Sequence, residues 1–128
     1  MALKILLLGI AGGVGTLARY LAGNWVARIA GDAFPWATFG VNMMGCFLFG
    51  VIVGLFERAG EWGSDFRLLL LTGFMGAFTT YSTFAYQTTD LMKESHWGYA
   101  AANLLGQNVG GVALVLLGLF LGRLGHTG

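Results

Sequence analysis

Apolar positions along this chain come in long blocks, and charged positions are confined to the gaps between them. Residues 33–56, 68–89 and 95–122 contain no Asp, Glu, Lys or Arg, and residues 5–27 contain only Arg19. A helix that crosses a bilayer needs about 20 mostly apolar residues at 1.5 Å of rise each. Every block meets that length, and together they take up 97 of the 128 residues. The pattern predicts four transmembrane helices at about 4–27, 35–56, 67–90 and 98–122, forming one all-α integral membrane domain over residues 1–128.

The residues at the block edges fit this division. Trp25 ends the first predicted span, Trp36 opens the second, Trp62 lies in the middle connector, and Trp97 with Tyr99 opens the fourth. Tryptophan and tyrosine favour the headgroup level, where one edge of the ring stays wet. The single proline, Pro35, starts span two, where a missing N–H is harmless. The connectors near 28–34, 57–66 and 91–97 are short, which makes successive helices antiparallel neighbours. The opening MALKILLLGIAGG resembles a signal peptide, but its apolar character continues past Gly15, and the segment is expected to stay as span one.

Composition narrows the class further. The chain is 56% hydrophobic and 10% charged, against about 25% charged in a soluble domain. That balance excludes a soluble enzyme domain, a nucleic-acid binder and a disordered chain, and leaves no room for an extramembrane domain. The net charge of +1 points to no polyanionic partner, and the lone Cys46 excludes an intrachain disulfide. An even number of spans puts both termini and the middle connector on one side. That side carries Lys4, Arg58, Arg67 and Arg123, and the other carries Arg28 and Lys93. So weak a bias permits insertion in both orientations but does not require it.

Small residues four apart recur: Gly9 with Gly13, Gly50 with Gly54, Gly106 with Gly110, and Gly118 with Gly122. Helices in lipid associate by close packing, so such pairs mark contacts. They either tighten one bundle or join copies of it. Four short helices do not easily enclose a polar path and also present an apolar exterior, so a homo-oligomer, most simply a two-fold dimer, is expected.

Polar groups at membrane depth are the candidate functional residues. Arg19, two-thirds along span one, either snorkels to an interface or attracts anions into a vestibule. Thr38 and Asn42 share one face of span two at i, i+4; the Asn42 amide either bonds a neighbouring helix or donates to an anion without a trapping charge. Asn103, Gln107 and Gly111 form a stripe along span four, with Asn108 beside it, and read as a wet track for a small polar solute or as packing amides. Span three reads TGFMGAFTTYSTFAYQTTD, with Thr79, Thr80, Ser82 and Thr83 close behind Gly73 and Gly76. Such residues weaken a helix, and together they predict an unwound break whose carbonyls suit a hard cation such as Na⁺. Tyr81 and Phe84 follow at i, i+3, with Phe78 one turn earlier. Ring edges carry partial positive charge and support a small anion.

All six acidic residues, Asp32, Glu57, Glu61, Asp65, Asp90 and Glu94, fall in connectors or at span ends. A four-span multidrug-type cation antiporter, the main alternative class, therefore lacks its intramembrane coupling carboxylate. His96 and His126 join no metal or catalytic cluster, so an enzyme is not expected.

GGVGTLARY in span one, WATFGVNMMGCFLFG in span two and above all TGFMGAFTTYSTF in span three resemble the Fluc fluoride-channel family, also called CrcB, across roughly residues 9–122. The resemblance implies an antiparallel, dual-topology homodimer in the bacterial inner membrane, with two pores exporting F⁻ passively from the cytoplasm. It also implies a third helix broken at mid-membrane and a structural Na⁺ at the dimer centre, held by the main-chain carbonyls of Gly76 and Thr79. On this resemblance Asn42 is the pore asparagine, and Tyr81 and Phe84 stand for two pore phenylalanines, with the hydroxylic Ser82 and Thr83 between them. Gln87 replaces a common glutamate, and Gly111 replaces a serine often found in the polar track.

Overall fold

In the computed structural model, which describes residues 1–57 and 63–125, the chain is all helical. Helix α1 is Ala2–Ala30 and α2 is Trp36–Phe56. A third rod, α3, runs over 64–78, and α4 is Tyr81–Lys93. The last rod, α5, is Trp97–Leu124. Taking α3 and α4 together, four rods are long and apolar enough to cross a membrane, with 29, 21, 30 and 28 residues. They overrun the predicted spans by a few residues at most ends, because helices continue into the headgroup layer. The 29 residues of α1 extend ~43 Å at 1.5 Å per residue, against ~30 Å of hydrocarbon. Arg58, Glu61, Trp62 and His126, which entered the sequence reading, lie outside the described residues.

Apolar side chains cover the outside. Leu6, Ile10, Leu17, Leu21, Leu116 and Phe120 are all exposed on α1 and α5, as expected where lipid rather than water is the solvent. Inside, Val41, Met75 and Phe78 form a small buried cluster. At one end of the bundle Phe34 makes ring contacts with Trp36, Phe39 and Tyr99 at centroid distances of 4.7, 5.8 and 5.7 Å.

The closest packing joins α2 to α5. A Cβ placed on Gly50 or Gly54 would run into the carbonyls of Val115 or Leu119, and one on Gly118 or Gly122 into those of Phe47 or Val51. Two small-residue pairs of the sequence thus face each other within one chain, backbone against backbone. Gly106 and Gly110 meet Phe39 and Met43 of α2, whereas Gly9 and Gly13 of α1 have nothing within 4 Å. A Gly118→Val variant should separate the two helices and destabilise the protein by about 3 kcal/mol or more, since overpacking here meets backbone rather than a movable side chain. Thermal unfolding in detergent measures that shift.

Two stretches carry the wider turns of a π-helix, Leu69–Met75 and Gly106–Gly110. The real interruption of rod three is elsewhere. Thr79 and Thr80 have φ, ψ of −97°, 156° and −147°, 125°, both extended. Of the six residues expected to unwind the helix, only the two threonines do: Gly73 and Gly76 stay helical, Ser82 and Thr83 lie in α4, and the chain opens three residues after Gly76. The cause is a tertiary hydrogen bond. The Thr80 N–H, which in a continuous helix would bond the Gly76 carbonyl, donates instead to Asn42 Oδ1 at 3.0 Å. The turn also removes Phe78 from the face of Tyr81 and Phe84, and its ring stacks on Phe74 at 6.0 Å.

Candidate functional site

Asn42 fixes the site. Besides accepting from Thr80 N–H, its Nδ2 donates to the Thr80 carbonyl at 3.0 Å and to Gln107 Oε1 at 2.8 Å. One buried amide thus holds both ends of an extended peptide and reaches across to α5. Gly45, one turn along α2, makes room for this arrangement: a Cβ there would collide with Thr79 Cγ2. Thr80 then caps α4, its Oγ1 accepting from Thr83 N–H at 3.4 Å, the usual role of a hydroxyl at a helix start. Thr79 turns back, its hydroxyl donating to the Met75 carbonyl at 3.1 Å.

Gln107 passes the contact onward. Its Nε2 donates to Asn103 Oδ1 at 3.1 Å, and Asn103 Nδ2 donates to Thr88 Oγ1 at 2.9 Å. The Thr88 hydroxyl donates to the Phe84 carbonyl at 2.8 Å. Asn103 and Gln107 of the span-four stripe therefore face partner helices, and both are hydrogen-bonded, as buried amides require. Asn103 is 0% exposed and sits behind Gln107. Asn108 is exposed, borders the cavity beside Asn42 and donates to the Leu104 carbonyl at 2.7 Å, and Gly111 packs against Cys46 and Met43.

A cavity of about 340 Å³ opens beside this network, walled by Asn42, Thr79, Thr80, Tyr81, Phe84 and Gln107 among others. Tyr81 and Phe84 meet edge to face at 5.4 Å. Phe84 is only 3% exposed, whereas Tyr81 is 75% exposed at the open side of the cavity. Met43, Cys46 and Phe49 also line the wall. Sequence reasoning passed over these because an apolar residue in a span looks the same whether it faces lipid or a cavity. A second cavity of about 200 Å³ brings together Arg19, Thr38, Thr80 and Thr83. Thr80 borders both cavities. Ser82 is exposed and borders neither.

No carboxylate lines either cavity; Asp32, Asp90 and Glu94 surround a third, of about 290 Å³, with Gln87. The Gln87 Oε1 atom there is buried without a hydrogen-bond partner. Among the described residues, no group of three or more His, Cys, Asp or Glu side chains is placed to hold a metal. A cation site here would rest on main-chain oxygen. Thr88 is the member of the network that the sequence did not single out. It lies one turn beyond Phe84 on α4, and that spacing is the one sequence signal for it.

Residues 6–119 match the model of a protein family described as CrcB-like protein, Camphor Resistance (CrcB). This chain is a member of the CrcB family. A relative from Maridesulfovibrio salexigens is 46% identical over 121 residues, covering 94% of this chain and 96% of its own. One from Nitratidesulfovibrio vulgaris (strain Miyazaki F) is 48% identical, with 94% and 98% covered. One from Nitrosococcus oceani is 43% identical, with 94% and 97% covered. Each of the three is named fluoride-specific ion channel FluC. The similarity to those relatives extends over 94% of this CrcB protein and so across all four rods.

Proposed function

We propose that this protein is a fluoride-selective channel that lets F⁻ leave the cytoplasm passively and so lowers its toxicity. The relatives' names and the family point to an ion channel rather than an enzyme, in a multi-pass inner-membrane protein. The observation that carries the reading is the charge-free cavity at the helix interruption, where amides, hydroxyls and aromatic rings meet among apolar side chains.

Fluoride is small and tightly hydrated, so a pore must replace water with short hydrogen bonds. Arg19 in the second cavity draws an anion in, next to the hydroxyls of Thr38, Thr80 and Thr83. Past Thr80 the ion meets Asn42, Gln107, the Tyr81 hydroxyl and the edge of Phe84. Before it arrives, Gln107 Oε1 occupies the Asn42 N–H; Gln107 acts as an internal acceptor that keeps the donor from lying unpaired, which would be unfavourable at depth. The ion accepts that hydrogen bond in place of Gln107 Oε1, and Gln107 gives way. Chloride is too large and gains too little from such donors. With no fixed charge in the first cavity the ion is held weakly, which favours throughput.

The working unit in this reading is an antiparallel two-fold dimer carrying two pores, with each helix interruption at mid-membrane. It is supported by the open side of the first cavity at Tyr81, by the uncovered Gly9, Gly13 and Gly76, and by the weak charge bias. The Gly76 and Thr79 carbonyls fit a structural Na⁺ on the dimer axis. Turning Thr80 N–H to Asn42 deprives the Gly76 carbonyl of its usual helical donor, and hard oxygen atoms suit a hard cation. Such an ion would supply a fixed positive charge holding two subunits together. Flux of fluoride from liposomes containing the purified protein tests the reading.

A further inference from the structure

The hydrogen bonds around Asn42 have one direction only. A backbone N–H can only donate, so Thr80 N–H compels Asn42 to present Oδ1 to it and Nδ2 to Gln107. Gln107 must then offer Oε1 to Asn42, which leaves Nε2 for Asn103 Oδ1. Asn103 in turn donates to the Thr88 hydroxyl, whose own proton goes to the Phe84 carbonyl. The chain starts at the cap of α4 and returns to α4 about two turns later, at Thr88, having passed through α2 and α5. Every amide in it has one allowed orientation so long as the far end holds.

We propose that Thr88 and Asn103 are positioning residues, which act on the permeating anion only by fixing the Gln107 amide and, through it, the donor edge of Asn42. Neither borders the first cavity. The proposal rests on the fluoride-channel reading and adds a second layer to it. Without the Thr88 hydroxyl, Asn103 loses its only acceptor there and can turn over. Gln107 then loses the partner that selects its orientation. If Gln107 turns, its Nε2 faces Asn42 Nδ2, donor against donor, and Asn42 cannot turn in reply because Thr80 N–H holds it.

The test pairs fluoride efflux from liposomes with ¹⁵N spectra of the side-chain amides. Thr88→Val removes the hydroxyl at nearly constant volume, and Thr88→Ser keeps it. Losing one buried hydrogen-bond partner in a coupled network should slow efflux about tenfold in Thr88→Val, with Thr88→Ser within about twofold of the native rate. The amide resonances of Gln107 and Asn42 should move in Thr88→Val and stay in Thr88→Ser. Combining Thr88→Val with Gln107→Met should be no slower than Gln107→Met alone, because residues acting through one another are not additive. Unmoved amide resonances, a Thr88→Val rate within about twofold of native, or losses that multiply in the double variant would overturn the proposal. If Thr88→Val does not elute as the native protein does, Thr88→Cys takes its place under the same criteria. A native protein that passes no fluoride would sink the channel reading alone, and the amide resonances would still decide the relay.

Discussion

Asn42→Asp is expected to silence fluoride efflux while leaving the helices folded. The carboxylate still accepts from Thr80 N–H, but it has no proton for the Thr80 carbonyl or for Gln107 Oε1, which now face it at about the distances the amide bridged, 3.0 and 2.8 Å. Two hydrogen bonds turn into oxygen–oxygen repulsion, and a negative charge is set on the wall that an anion must touch. Together these effects are worth about 3 kcal/mol or more, a loss of roughly a hundredfold or more in flux. Initial rates of F⁻ release from liposomes, with protein content matched, check it. Flux within about threefold of native would remove Asn42 from the ion path.

Phe84→Ile should stop flux by a different route. The ring is buried, sits edge to face with Tyr81 at 5.4 Å and forms part of the cavity wall. Isoleucine keeps much of the apolar volume, so the fold should lose little, about 1–2 kcal/mol. What goes is the partial positive charge of the ring edge, the one feature of Phe84 that attracts an anion without binding it hard. Efflux should fall at least about tenfold, corresponding to an aromatic contribution near 1.4 kcal/mol. Retained stability with lost flux separates this from a packing defect, and Phe84→Tyr, which keeps the ring edge, should conduct better than Phe84→Ile.

The spans could be read from the sequence because charge is excluded from hydrocarbon whatever the tertiary structure. Asn42, Gln107, Tyr81 and Phe84 were legible for the same reason, as polar or aromatic groups at depths where they need a purpose. The helix interruption was legible only as a stretch from Gly73 to Thr83, not to the residue. Propensity marks Gly73 and Gly76 as well as the threonines, but a helix in lipid keeps its backbone bonded and both glycines stay helical; Gly73 serves close packing, where a Cβ would meet Ala11 Cβ at 2.8 Å, and Gly76 is exposed. The chain opens at Thr79 and Thr80 because a side chain from another helix offers the Thr80 amide a better acceptor, and local sequence does not encode that. Phe78 was misplaced as a consequence, since its shared face with Tyr81 assumed a continuous helix. Arg19, Thr38 and Thr83 were singled out on separate helices, and only the fold shows that they meet in one cavity. The Asn103–Thr88 link was invisible because a threonine near a helix end is unremarkable until its neighbour across 15 residues is known.

The central claim is that an uncharged set of amide, hydroxyl and ring-edge groups passes fluoride and rejects chloride. Liposomes loaded with both potassium salts, fitted with the native protein and made permeable to K⁺, test it most directly. An ion-selective electrode for each anion should record rapid F⁻ release and no Cl⁻ release above that of protein-free liposomes. Chloride leaving at a comparable rate, or fluoride retained, would contradict the account.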